Sequence, residues 1–101
     1  MNIAYSLNNI PIRLTDERWR HIVENHEDIA GYYDAVLQTV EDADYVIKGY
    51  GEALIALQEI KRNKFLAVVY KEFDDDGFII TAYFTSKLKL EREEILWQKK
   101  S

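Results

Sequence analysis

KFLAVVYKEFDDDGFIITAYFTSK, residues 64–87, is the stretch whose reading decides the fold. Two runs rich in Val, Ile, Phe, Tyr and Thr flank Asp74, Asp75, Asp76 and Gly77, a composition that supplies local side-chain acceptors and a residue at ease with positive φ. The pattern is that of a β-hairpin. Side chains alternate between the faces of a strand, so Phe65, Ala67, Val69 and Phe73 are expected to share a face with Phe78, Ile80, Ala82 and Phe84. That face is apolar and is expected to lie on a core. The other face is mixed, with Leu66, Val68, Tyr70 and Glu72 on the first strand and Ile79, Thr81, Tyr83, Thr85 and Lys87 on the second. A loop of Asp75 and Asp76 sets Tyr70 opposite Thr81, and a loop of Asp76 and Gly77 sets it opposite Tyr83; both keep Tyr70 among the hydroxyls. Hydroxyls, phenols and a lysine on one sheet face can donate to phosphate oxygens and stack on bases. The competing reading is a solvated sheet face, since Thr and Tyr favour strands for packing reasons alone.

Working outward, the 101 residues, 48% of them hydrophobic, suit one compact domain with a single core. No Gly, Ser or Pro tract divides the chain, no repeat is present, and Pro11 is the only proline. Cysteine is absent, so there is no disulfide and no thiolate metal site, in keeping with a reducing compartment. The opening MNIAYSLNNIPIRL lacks the layout of a signal peptide, and no apolar run approaches the roughly 20 residues of a membrane span. A cytoplasmic protein with no membrane partner is expected. The formal charge of −5, from 13 basic and 18 acidic residues, argues against a generally basic nucleic-acid binder. Lys61, Arg62, Lys64, Lys87 and Lys89 nevertheless gather near one end of the proposed hairpin, as a local basic patch or as an ordinary solvated rim.

Short strands are expected at Ile3 to Leu7 and Ile10 to Leu14, with Asn8 and Asn9 turning between them. Thr15 is a good N-cap for a helix to about His26, with Asp16 and Glu17 at its positive end. A second helix is expected from about Ile29 to Val40, with Tyr33, Val36, Leu37 and Val40 at helical spacing. Strands follow at Asp44 to Lys48 and Ala53 to Ile60 around a turn of Gly49, Tyr50 and Gly51. Residues Leu90 to Lys99 read as either a short helix or a closing strand. The order is α+β, with N-terminal helices packed on one face of an antiparallel β-sheet.

Both histidines lie in the first helix, in TDERWRHIVENH. At about 100° per residue, His26 projects within the apolar stripe of Trp19, Ile22 and Val23, whereas His21 lies on the polar side. Their spacing sets them about 140° apart, which is poor for one metal ion. No metal site is read. His26 is either a packed histidine or one whose second ring nitrogen faces a cleft.

The order RLTDERWRHIVENH, a polar stretch from Asp42 to Gly49, KFLAVVYKE and then GFIITAYFTSK, spanning about Arg13 to Lys87, resembles the small phage- and bacteria-associated nuclease domains called PBECR. These belong to the barnase, EndoU, colicin and RelE-like (BECR) group. The resemblance implies a cofactor-free, metal-independent endoribonuclease, the toxin of a toxin–antitoxin pair, with RNA as substrate and an antitoxin protein as partner. By motif, the histidines of the first helix correspond to His21 and His26, and the hydroxyl-rich last strand to Thr81, Tyr83, Thr85 and Lys87. Glu27 follows His26 where this kind of motif has proline. On this reading His26, ahead of His21, moves a proton, because imidazole titrates near neutral pH. Lys87, with Arg62 and Lys64, offsets phosphate charge; Thr81 and Thr85 orient the phosphate; Tyr83 or Tyr70 stacks on a base or donates a proton. A non-catalytic module that holds a protein or nucleotide on the same sheet face is the alternative.

Overall fold

The computed structural model describes residues 2–100. Two helices pack against a curled sheet of seven strands, β1 (Ile3–Tyr5), β2 (Pro11–Arg13), β3 (Tyr45–Lys48), β4 (Leu54–Lys61), β5 (Lys64–Glu72), β6 (Gly77–Thr85) and β7 (Ile95–Gln98). The helices α1 (Asp16–Asn25) and α2 (Tyr33–Glu41) fall between β2 and β3, separated by one 3₁₀ turn at Glu27–Ile29. The spatial order is β1-β2-β6-β5-β4-β3-β7, and every pairing is antiparallel except that of β2 with β6.

Local chemistry explains the boundaries. Thr15 caps α1, its hydroxyl oxygen accepting from the Arg18 N–H at 3.1 Å, and Asp16 and Glu17 sit in the first turn. The second helix starts at Tyr33 rather than near Ile29, because the chain between closes the separate turn at Glu27–Ile29. Of the two readings of the C-terminal segment, the strand is realised: Ile95–Gln98 pairs with β3 after a 3₁₀ turn at Leu90–Arg92.

The central hairpin departs from the expected face assignment. Its loop has four residues, Phe73 to Asp76, closed by the Phe73 N–H on the Asp76 carbonyl at 2.6 Å, with Glu72 opposite Gly77. Tyr70 faces Ile79 and Val69 faces Thr81, so Ile80 is an extra, unmatched residue in β6. One extra residue inverts the alternation beyond it. Ala82 and Phe84 therefore join Leu66, Val68, Tyr70 and Ile79 beneath the helices, in a core with Ile12, Leu14, Ile22, Ile29, Val36 and Val40. Thr81, Tyr83 and Thr85 lie with Val69, Ala67 and Phe65 on the opposite face. The expected burial of Ala67, Val69, Ile80, Ala82 and Phe84 together under the helices is thus corrected: only Ala82 and Phe84 are there, and Val69 and Ile80 are half-buried.

The opposite face is not bare. Ile47, Leu57, Phe65 and Ala67 form a second, smaller cluster, covered by Leu88 and Leu90 from the segment after β6. Gly77 also differs from its expected part. It is buried in β6 without positive φ, and a Cβ there would fall on the Lys71 carbonyl oxygen and 2.7 Å from Ile12 Cδ1. Its value is the space it leaves for β2 to approach the hairpin.

Around this end, Glu72 accepts from the Ser6 hydroxyl and from Asn8 Nδ2, and Arg13 pairs with Asp76 at 2.8 Å. Tyr70 is fully buried, and among the described residues its hydroxyl has no hydrogen-bond partner. Burial, and secondarily the Glu72 carboxylate, raises its phenol above the ordinary value.

Two measurements follow from this packing. Gly77→Ala should destabilise the fold by about 1–3 kcal/mol, the range for overpacking a tight site, in denaturant unfolding. Tyr70→Phe removes an unpaired buried hydroxyl and should leave stability unchanged or raise it by about 1 kcal/mol. Since the folded state holds the Tyr70 proton more tightly than the unfolded chain, wild-type stability should fall as pH rises past about 10. Tyr70→Phe should lessen that fall; a parallel loss in both proteins would place its cause elsewhere.

Candidate functional site

β2 pairs with β6 over only two positions, Ile12 with Gly77 and Arg13 with Phe78. Beyond them the chain turns at Leu14 and Thr15 into α1, and the outer edge of β6 receives no further strand. Instead α1 and the Glu27–Ile29 turn lie against it. The helix ends where its C-cap, His26, donates its backbone N–H to the Ile22 carbonyl at 2.8 Å. The partly buried His26 ring thereby comes to 5.8 Å from the Tyr83 ring, centroid to centroid, at a 35° tilt.

Tyr83 is half-buried, and its phenol is held above its ordinary pKa first by burial and then by the Glu93 carboxylate. It stays protonated at neutral pH and is a hydrogen-bond donor there. Thr81 and Thr85 flank it on the same face of β6, both half-buried. The Thr85 hydroxyl oxygen accepts from the Lys87 backbone N–H at 3.2 Å, which starts the turn away from the sheet.

That turn opens a depression of about 510 Å³ lined by Asn63, Ser86, Lys87, Leu88, Lys89 and Glu91. Asn63 belongs to the β4–β5 turn, where it adopts the left-handed conformation at φ 63° that Asn tolerates better than most residues. The same turn carries Arg62, with Lys61 opposite Lys64 across the ladder. Among the described residues none of Lys61, Arg62, Lys64, Lys87 and Lys89 has a carboxylate within salt-bridge distance. Lys87 and Lys89, together with the carboxylate of Glu91, thus line one open depression that the β4–β5 turn closes with Asn63, adjoining the strand that bears Tyr83. Lys64 also leans over Phe84, its Nζ 5.2 Å from the ring centroid, and Phe84 meets Tyr32 edge-on at 4.9 Å.

The structure therefore brings His26 to Tyr83, and Arg62 to the end of the sheet where Thr85 leads into Lys87; the Lys64 ammonium instead lies over Phe84, on the helix-covered face, so its expected part beside Lys87 is corrected. It separates two other residues from them. Tyr70 lies in the helix-covered core rather than with Thr81, Tyr83 and Thr85, because the extra residue Ile80 reverses the face of the strand opposite it. A fully buried ring cannot stack on a base, so its part as an RNA contact is corrected. His21 is exposed on α1, where its carbonyl accepts from Asn25 Nδ2 at 3.0 Å.

Sequence reasoning missed Glu93, whose segment read equally as helix or strand and so had no position relative to Tyr83. It also missed Asn63, although an Asn between Arg62 and Lys64 is a readable left-handed turn residue. Among the described residues no three His, Asp or Glu side chains group so as to hold a metal ion, and no helix is long and apolar enough to cross a membrane. No family model, curated protein or solved structure matches the chain.

The Tyr83–Glu93 relation is directly measurable. In a spectrophotometric phenolate titration, Glu93→Gln should lower the pKa of the group that Tyr83→Phe deletes, since it removes the charge opposing ionisation. An unchanged titration would detach Glu93 from the site.

Proposed function

We propose that the chain is a small metal-independent endoribonuclease-like domain of the BECR type, acting as the toxin of a toxin–antitoxin pair. The observation that carries this reading is the His26 ring against the protonated Tyr83 phenol, on a strand that leads into a depression lined by Lys87, Lys89 and Glu91, whose lysines form no salt bridge among the described residues. The helices on one sheet face and the resemblance in RLTDERWRHIVENH and GFIITAYFTSK point the same way.

In the proposed reaction His26 takes the proton of a ribose 2′-hydroxyl, whose oxygen attacks the adjacent phosphorus. The bond from phosphorus to the 5′-oxygen breaks, leaving a 2′,3′-cyclic phosphate, and the departing 5′-oxygen takes a proton from water in the open depression. Charge on the pentavalent phosphate is offset by Lys87, helped by Arg62. Thr81 and Thr85 orient the phosphate. A phenol held above its ordinary pKa releases its proton reluctantly, so Tyr83 serves by donating a hydrogen bond to a phosphate oxygen or by presenting its ring to a base.

The second reading, a non-catalytic module that grips a nucleotide or protein at the same depression, is favoured by the net charge of −5. RNA cleavage in EDTA and arrest of growth on expression separate the two, since a binding module does neither. In the catalytic reading His26→Gln keeps the fold and lowers cleavage by roughly 10² to 10⁴, and His21→Gln does much less. Lys87→Glu weakens RNA binding and flattens its salt dependence, because a lost phosphate contact no longer releases counterions. Cleavage by His26→Gln at the wild-type rate would end the catalytic assignment.

A further inference from the structure

The sheet face opposite the helices is covered over only part of its length. Leu88 and Leu90 lie on the end that holds Ile47, Leu57, Phe65 and Ala67, whereas Val69, Phe73, Phe78 and Ile80, toward the hairpin loop, belong to neither core cluster. Phe78 stands on this open face: it pairs with Lys71, two positions along β5 from Val69, while its neighbour Ile79 is buried beneath the helices. Phe73 stacks on it, with ring centroids 5.8 Å apart at 28°, and is 56% exposed. Tyr83 lies on the same face of the same strand. Its partner Ala67 is four positions along β5 from Lys71, which sets Tyr83 about 13 Å from Phe78 at roughly 3.3 Å per residue.

Two cations flank Phe78 in register. Lys71 lies opposite it on β5 and Arg13 opposite it on β2, so the three side chains cross the face in one row. Among the described residues Lys71 has no salt bridge. Arg13 holds Asp76 through one Nη at 2.8 Å, and its half-exposed guanidinium keeps further donors. Arg13 and Lys71 against Asp76 leave the row positive. An exposed aromatic ring between two cations fits a flat base with a phosphate on either side. A basic peptide segment would meet like charges there. Asp74 and Asp75, exposed on the loop beyond Phe73, mark where the row ends, so a polyanion on Phe78 runs toward Tyr83 and not past the loop.

We propose that Phe78 and Phe73, with Lys71 and Arg13, form a base-stacking subsite for single-stranded RNA. The proposal rests on the ribonuclease reading and extends it from the bond cleaved near Tyr83 to the strand beside it. A base on Phe78 belongs to a neighbouring nucleotide, because about 13 Å separates the two rings. Lys71 and Arg13 hold the phosphates that flank that base, and Thr81, opposite Val69, lies on the path between the two positions.

Binding of an uncleavable single strand, a 2′-O-methyl homopolymer, to the intact chain tests this by fluorescence anisotropy. Phe78→Leu keeps an apolar side chain but removes the ring, and should weaken binding roughly five- to a hundredfold, the range for one lost base stack, with the salt dependence unchanged. Phe73→Ala, at an exposed position, should also weaken binding and serves if Phe78→Leu proves unstable. Lys71→Gln should flatten the slope of log affinity against log salt by roughly 0.7, and Asp74→Asn/Asp75→Asn should tighten binding. In cleavage, Phe78→Leu should raise KM for a long strand and leave a dinucleotide, too short to reach Phe78, unaffected. A strand bound equally by wild type and both Phe variants, or no binding up to about 1 mM, would overturn the proposal. So would self-association of the wild type that Phe78→Leu abolishes, which would assign the face to a second copy. Each of these results leaves the cleavage assignment to its own test, since His26→Gln cleaving at the wild-type rate would end that assignment while the binding of an uncleavable strand stood.

Discussion

Pairing between β5 and β6 carries one unmatched residue, Ile80, and the allocation of side chains to the two faces of the sheet hangs on it. A strand alternates with period two, so an insertion of one exchanges every later side chain between faces. Without it Thr81, Tyr83 and Thr85 would continue on the face of Ile79, toward Ile22 and Val36. Three hydroxyls would enter an apolar core with few acceptors at hand, at a cost of a few kcal/mol for each left unpaired. With the bulge, Ala82 and Phe84 enter that core instead, and the hydroxyls stand on the thinner side. Tyr70 shows the penalty in miniature: its phenol is buried beside Ile79, just before the inversion, and its oxygen finds no partner.

A second constraint acts at the same strand. Gly77 lets β2 come close enough to pair, but only for two residues, after which Thr15 turns the chain into a helix. The outer edge of β6 is thereby left to a helix end rather than to a strand. A helix covering one face of a sheet can offer a side chain to the other face only around an edge, and this unfilled edge is where His26 meets Tyr83. The contact is a consequence of β2 being short.

Strong local signals were readable. Thr15, Asp16 and Glu17 announced the first helix, and alternation in residues 64–87 announced the hairpin. What could not be read was parity. A sequence shows that residues alternate but not where alternation skips, and nothing in FIITAYF marks Ile80 as unmatched, since Val, Ile and Thr suit either face. The face assignment and the place of Tyr70 failed together for that one reason. His26 was legible as a helix end in an apolar stripe and Tyr83 as part of a hydroxyl row. Their proximity depends on β2–β6 pairing between segments 65 residues apart, as for Ile12 and Gly77, and on the non-local Glu93, for which periodicity offers no information.

The balance of charge around β6 bears on how such a site would work. Lys61 opposite Lys64 sets like charges across a ladder, an arrangement that costs about 0.2–1 kcal/mol and is tolerated because water screens it. A phosphate near Lys87 and Lys89 would relieve that repulsion. His26, by contrast, is followed directly by the exposed Glu27 and Asp28, and Tyr83 has Glu93 near it. These carboxylates repel an anion from the rings as the lysines draw one to the depression. Screening at physiological salt confines both effects to about 8 Å, so the overall charge of −5 slows the approach of a polyanion without setting the sign at the depression. In the proposed reaction the scissile phosphate must sit between the two regions, within reach of Lys87 and of the Tyr83 phenol, so the lysines have to outweigh the carboxylates beside the rings.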